Sequence, residues 1–315
     1  MIGENLIFSL NATVPVFIIM VFGWFVKCIG LLDEHSTAQI NRFVFRTLLP
    51  ALLFMDLSTA DFRTVWDGSL VLFCMGATVL SVGIAAAFSL LHKEKCERGE
   101  IIQASYRSSA AVLGIAFVNN IYGKSTVAAL MIVGTVPLYN IIAVVILSLT
   151  SPERRTNGSL LSGTLRSIAT NPIILGIAAG LLWSLAGIPQ PVIMSKSIGY
   201  LGNMATPLSL IALGASVRFS AAKGRGGLTA AIAFIKLILF CGIFLPAAIA
   251  LGFRDEKLIS ILVMLGSATT GSCFVMAKNL GHKGDITAFA VMLTTLCSAF
   301  TLTMWLFILK SVGCI

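Results

Sequence analysis

Residues 202–214 read GNMATPLSLIALG, inside a run otherwise apolar enough to cross a bilayer. Asn203, Thr206 and Pro207 fall near the middle of that run, and each lowers the helicity or the apolarity that a plain membrane anchor needs. The same anomaly occurs earlier, in RTLLPALLF at 46–54, where Pro50 interrupts a second apolar run. The two prolines are 157 residues apart, and at that offset Pro15 also falls on Pro172, Gly23 on Gly180 and Gly30 on Gly187. In a chain with 28 glycines and 9 prolines, four matches of preserved type at one offset mark an internal repeat. The later parts match more loosely, with Asn119 and Gly123 near the counterparts Asn279 and Gly281.

Composition places the repeat in a membrane. The chain is 57% hydrophobic and 11% charged, with mean hydropathy +0.96, where soluble domains carry about a quarter charged residues. Runs of bilayer-spanning length recur along it. They predict ten helices near 6–28, 38–58, 68–91, 101–121, 126–149, 169–187, 195–216, 228–252, 257–279 and 285–309. The polar stretch after residue 150, SPERRTNGSLLSGTLRS, divides them five and five. The expected organisation is a first repeat at 1–150, a cytoplasmic linker at 151–168 and a second repeat at 169–315. An odd number of helices per half makes the second repeat inverted. That arrangement is a signature of secondary transporters, whose sites lie near the midplane on discontinuous helices. Pro50 and Pro207 are then paired helix kinks at symmetric positions.

Of the 22 Lys and Arg, thirteen fall in loops after odd-numbered helices, six on the other side, and Arg46, Arg107 and Lys236 within spans. The asymmetry places the odd loops in the cytoplasm and both termini outside the cell membrane. It also accounts for the net charge of +9 without nucleic acid, since no basic run is interleaved with aromatics. The seven cysteines are scattered and the three histidines lie near loops, which suggests no metal site and no cofactor. No nucleophile–base pair lies in the spans, so an enzyme is not expected. GKST at 123–126 has Val118 where a phosphate-binding loop requires glycine. GIAAG at 176–180 has the small-residue spacing of close helix packing.

GWFVKCIGLLDEHSTAQINRFVFRTLLPALLF (23–54), NPIILGIAAGLLWSLAGIP (171–189) and TPLSLIALGASV (206–217) resemble the auxin efflux carrier family. The similarity runs along essentially the whole chain, and the short linker is like that of bacterial malonate- and malate-permease-like members. The resemblance implies an all-α polytopic fold of ten transmembrane helices in two inverted five-helix repeats. Helices one, two, six and seven form a scaffold. Three to five and eight to ten form a transport domain, with helices four and nine broken and crossing at the substrate site. The family commonly carries Asn-x-Gly-x-x-Gly-x-Pro in helix four and prolines in helix nine. Here SAAVLGIA (109–116) has Ser109 at the Asn position, Gly114 at the second Gly and Ala116 at the Pro position. GSATTGSCFVMA (266–277) has Thr269 and Thr270 where proline is expected.

A broken helix exposes amides and carbonyls at the midplane, so the expected substrate-binding groups are Arg107, Ser108, Ser109, Gly114, Thr269, Thr270 and Ser272. For the hydroxyls the bland reading is ordinary interhelical hydrogen bonding. Two readings stand for Arg107: attraction of an anion into the membrane, or snorkelling to the cytoplasmic surface. Arg46 and its repeat counterpart Asn203, each one turn before a proline, are expected to face the cavity from the scaffold. Lys236 has a weaker case for substrate contact, since a lone lysine at that depth often snorkels. Asp56 is the one carboxylate clearly inside a span, near the outer end of helix two.

The resulting expectation is a secondary carrier in the lipid bilayer that moves a small organic anion by elevator-type alternating access, with a homodimer through the scaffold helices as a possible assembly. A sodium-coupled symporter of the bile-acid type and a non-transporting membrane sensor are the rival readings.

Overall fold

The computed structural model describes residues 14–15, 18–59, 67–110, 118, 121–122, 126–152, 170–216 and 226–315, and the regular elements among them are all helical. In chain order they are α1 (Ile18–Cys28), α2 (Glu34–Phe43), α3 (Leu49–Ser58), α4 (Gly68–Leu90), α5 (Arg98–Tyr106), α6 (Thr126–Thr150), α7 (Pro172–Ala186), α8 (Val192–Ser216), α9 (Gly226–Phe234), α10 (Phe240–Ala250), α11 (Asp255–Gly266), α12 (Ser272–Asn279) and α13 (Asp285–Ser311). Among the described residues, five helical runs are long and apolar enough to cross a membrane: Gly68–Leu90, Leu130–Thr150, Val192–Ser216, Gly226–Ala250 and Asp285–Ser311. Helices α1 and α7 are shorter and apolar.

The ends of these helices follow from local chemistry. Asp33 caps α2 by accepting from Ser36 N at 2.7 Å, and Asp67 caps α4 by accepting from Ser69 N and Leu70 N, both at 3.1 Å. Helix α7 has Asn171 as its N-cap, Pro172 at the first position and Gly187 as a left-handed C-cap, φ +67°. Gly30, the repeat counterpart of Gly187, also has positive φ, +81°, just past the end of α1.

Two of the described helical runs contain a complete π-helical segment. Val44–Leu48 joins α2 to α3 directly before Pro50, and the wider turn absorbs the proline's missing donor and bulky ring. The expected disturbance at Pro50 therefore takes the form of a π segment, whereas Pro207 lies inside an uninterrupted α8. Ile235–Leu239 joins α9 to α10 and frees the Leu237 carbonyl, which accepts from Trp305 Nε1 at 3.0 Å.

Glycines set the closest helix contacts. A Cβ on Gly176 would lie 2.7 Å from the Pro50 carbonyl oxygen, and one on Gly180 would lie 2.9 Å from that of Phe54, so α7 rests on the backbone of α3. Gly202 of α8 sits against Leu52 on the same helix. Across the bundle, Gly23 of α1 abuts the Ile211 backbone of α8, and Gly214 of α8 abuts that of Met20. The small-residue pattern at 176–180 thus marks backbone-to-backbone packing. Ile18, Phe22, Leu182, Leu185 and Ile193 stay exposed on α1, α7 and α8, as lipid-facing side chains do, while Leu258–Gly266 of α11 are all buried.

Candidate functional site

Two helices stop inside the bundle. Helix α5 ends at Tyr106, and Arg107 turns to extended backbone with ψ 138°. Helix α11 ends at Gly266, and Ser267 is extended with φ −75° and ψ 160° before α12 starts at Ser272. The expected helix at 257–279 is therefore two helices with a break at 267–271, and the expected helix at 101–121 is interrupted from 107. Gly114 lies outside the described residues. The two extended stretches touch: Ser109 N donates to the Ala268 carbonyl at 2.9 Å. Thr269 fixes the second break in place, its amide donating to Thr294 Oγ1 at 3.0 Å and its hydroxyl to the Ala104 carbonyl at 2.8 Å. Gln103 adds a further tie, from Nε2 to the Cys273 carbonyl at 3.0 Å. Serine and threonine hydroxyls here satisfy the backbone groups that broken helices expose.

A cavity of about 70 Å³ opens between these breaks and α3, α6 and α8. Arg107, Ser108, Ser109, Thr270 and Ser272 line it, together with Gly271 at the start of α12. Asp56 on α3, Tyr139 and Asn140 on α6, and Thr206 and Ser209 on α8 complete the polar wall. Arg107 is 2% exposed, so it does not snorkel. Its guanidinium donates to Asn140 Oδ1 at 2.8 Å, to Ser272 Oγ at 3.1 Å and to the Met276 sulfur at 2.7 Å. Its Nε is buried without a partner. An arginine within a membrane costs roughly 3 kcal/mol or more, and a donor left dry there adds to that cost. Asn140 is held in turn by its own bond to the Val136 carbonyl at 2.8 Å.

The α12 N-terminus and Arg107 both present positive charge to this cavity. The first carries the partial positive charge of a helix dipole and the second a full charge. Asp56 faces the same space with negative charge, and among the described residues no ion pair joins it to Arg107.

Lys236 lies on the other side of the crossing and is fully buried. Its ammonium donates to Ser108 Oγ at 2.5 Å, to the Leu265 carbonyl at 2.6 Å and to the Tyr106 carbonyl at 3.4 Å. The Ser108 hydroxyl in turn donates to the Met264 carbonyl. Lys236 does not snorkel: it is fully buried in the π segment, with its ammonium on the oxygens of the crossing. Arg46 and Asn203 do not join this constellation: both are exposed, and neither lines the cavity. Sequence reading missed Asn140, Tyr139 and Ser209. Asn140 carried a usable signal, a polar amide three residues after Pro137 in an apolar run.

A second hollow, about 370 Å³, lies between α2, the C-terminal end of α8, α12 and the start of α13. Lys27, Lys278 and Lys283 border it with Glu34 and Asp285. Beside it, Asn279 Nδ2 of α12 donates to the Asn41 carbonyl of α2 at 3.2 Å.

Comparison with known proteins gives this architecture a context. A "Putative malonate transporter" of Rhizobium meliloti is 24% identical over 297 residues, covering 89% of this chain and 90% of that protein. An "Uncharacterized transporter" of Methanothermobacter thermautotrophicus is 21% identical over 304 residues, 94% of this chain and 97% of that one. The "Uncharacterized transporter YfdV" of Escherichia coli is 22% identical over 323 residues, 98% and 100% of the two chains. The family model described as Membrane transport protein matches residues 8–306. With that match spanning nearly the whole chain, the protein belongs to the Membrane transport protein family, the auxin efflux carriers that its helices resemble.

Proposed function

We propose that this membrane transporter carries a small organic anion, a mono- or dicarboxylate, through the cavity at the broken helices. The observation that carries the reading is the convergence of the buried Arg107 guanidinium and the α12 N-terminus on one small cavity. A carboxylate fits both: two oxygens meet donors in a planar fork, and helix amides favour the charge. The unpartnered Arg107 Nε and the hydroxyls of Ser109, Thr270 and Ser272 are the donors such a substrate would use. The malonate named for the Rhizobium relative belongs to the same substrate class.

The transport cycle is of the elevator type. Helices α1–α3, α7 and α8 form the fixed scaffold, and α4–α6 with α9–α13 form the body that moves against it, carrying the crossing. Several contacts support two inverted repeats. The counterparts Gly23 and Gly180 each press their helix onto a proline-bearing helix of the other half, α8 and α3 respectively. The counterparts Gly30 and Gly187 both take the left-handed conformation. Both hollows lie along the seam between the two bodies, and the larger one is the cytoplasmic vestibule in the orientation the basic loops favour.

The test is counterflow in proteoliposomes across a panel of mono- and dicarboxylates. Uptake of at least one panel member that is lost in Arg107→Ala supports the reading. Equal uptake by the purified variant and the parent excludes Arg107 as the anion's partner.

A further inference from the structure

Lys236 is the buried charge that the anion site does not use. The carbonyls around its ammonium belong to Tyr106 and Leu265, the last turns of α5 and α11, so the negative ends of two interrupted helices converge on one point. The third partner, Ser108 Oγ, comes from the extended stretch between them. Among the described residues no carboxylate pairs with Lys236. In transporters built on broken helices, such a set of unwound carbonyls and helix C-termini is the usual seat of an alkali cation. Here the seat holds a charge of the same sign and similar demand for oxygen, tethered to α9–α10 through a π segment.

We propose that the Lys236 ammonium is a built-in substitute for a coupling cation, and that it makes the crossing independent of sodium and potassium. The mobile ion's role of neutralising two helix ends is performed by a side chain that never leaves. Truncating that side chain vacates a seat of two carbonyls and a hydroxyl, which a free alkali cation can then fill. The role is positional, since Lys236 is absent from the lining of the anion cavity.

The test compares the parent with Lys236→Ala and Lys236→Met, each purified in detergent. Thermal unfolding is followed in choline chloride, sodium chloride and potassium chloride at equal ionic strength. The parent is expected to unfold at one temperature in all three salts. Lys236→Ala is expected to unfold several degrees lower in choline and to recover part of that loss in one alkali salt, saturably. Lys236→Met fills the space and is expected to lose stability without recovering it in any salt. A parent that is itself stabilised by sodium or potassium over choline overturns the proposal, and this result needs no variant to fold. Alanine-variant stability that is equal in all three salts also overturns it. The unfolding readout is independent of the anion-carrier reading, so either can fail while the other stands. Where uptake is measurable, Lys236→Ala is expected to require the cation that stabilises it.

Discussion

Arg107 and Lys236 are two cations on either side of one crossing, and their partners assign them different work. Arg107 faces the cavity and keeps a free donor, while all three partners of Lys236 are oxygens at the crossing. Arg107→Lys keeps the charge but loses the planar guanidinium, whose Nη2 reaches Asn140 and Ser272 while Nη1 reaches Met276, so carboxylate uptake should fall about tenfold, or ~1.4 kcal/mol. Initial-rate counterflow at equal protein density measures it. Asp56 lines the same cavity and would oppose the proposed anion there. Removing that like charge with Asp56→Asn should lower the apparent KM several-fold, since two charges several ångström apart in a partly hydrated site repel by about 1 kcal/mol. The sequence made Arg107 visible because an intramembrane arginine is rare at any position. It did not make Asp56 visible as a site residue, because distance along a helix does not reveal which neighbour the helix faces. Lys236 was misjudged for a related reason. Snorkelling depends on the direction of a side chain, and neither that direction nor the π segment has a simple signature in IKLIL.

At the scale of elements, the two breaks were legible at different levels. The glycine and hydroxyl content of 266–272 marks weak helix, and the interruption falls there. The start of the other break at Arg107 was not legible, because nothing in QASYRSS forbids a helix locally; tertiary bonds such as Ser109 N to Ala268 O take the place of the helical ones. The glycine seams were legible through GIAAG. Gly176→Val should destabilise the α3–α7 pair by about 1–3 kcal/mol, because a Cβ there lies 2.7 Å from a backbone oxygen that cannot move cheaply. Gly83→Ala on α4, with open space around it, is the matched control. Thermal unfolding in detergent distinguishes the two.

The cap of α4 carries a pH prediction outside the spans. Asp67 meets Lys257 Nζ at 2.5 Å, and that bond, followed by the one from Ser69, holds its carboxyl well below the ordinary carboxylate range. A lowered folded pKa means the stabilisation is complete above the ordinary value and drains away as pH falls towards the folded one. The pair is partly exposed, so Asp67→Asn should cost under about 1 kcal/mol at neutral pH. The gap between variant and parent should then close progressively below about pH 4. Unfolding followed across that range checks both the size and the sign.

For the whole molecule, the offset of 157 residues was the most informative signal in the sequence. It matched glycines and prolines whose tasks come in pairs in space: two helix ends with positive φ, and two glycine seams against proline-bearing helices of the other half. Such residues stay readable because their roles are backbone roles, which side-chain drift does not replace. Arg46 and Asn203 show the limit of the method: the repeat predicts equivalent positions, and both are exposed, but it does not predict which positions face the cavity.

The most direct measurement is current across a planar membrane or proteoliposomes holding the purified parent and Arg107→Ala, with a carboxylate gradient in choline salts. We predict an anion current in the parent that needs no alkali cation and is lost in the variant. Carboxylate binding to the folded parent with no current or exchange of any panel member would contradict transport through this cavity.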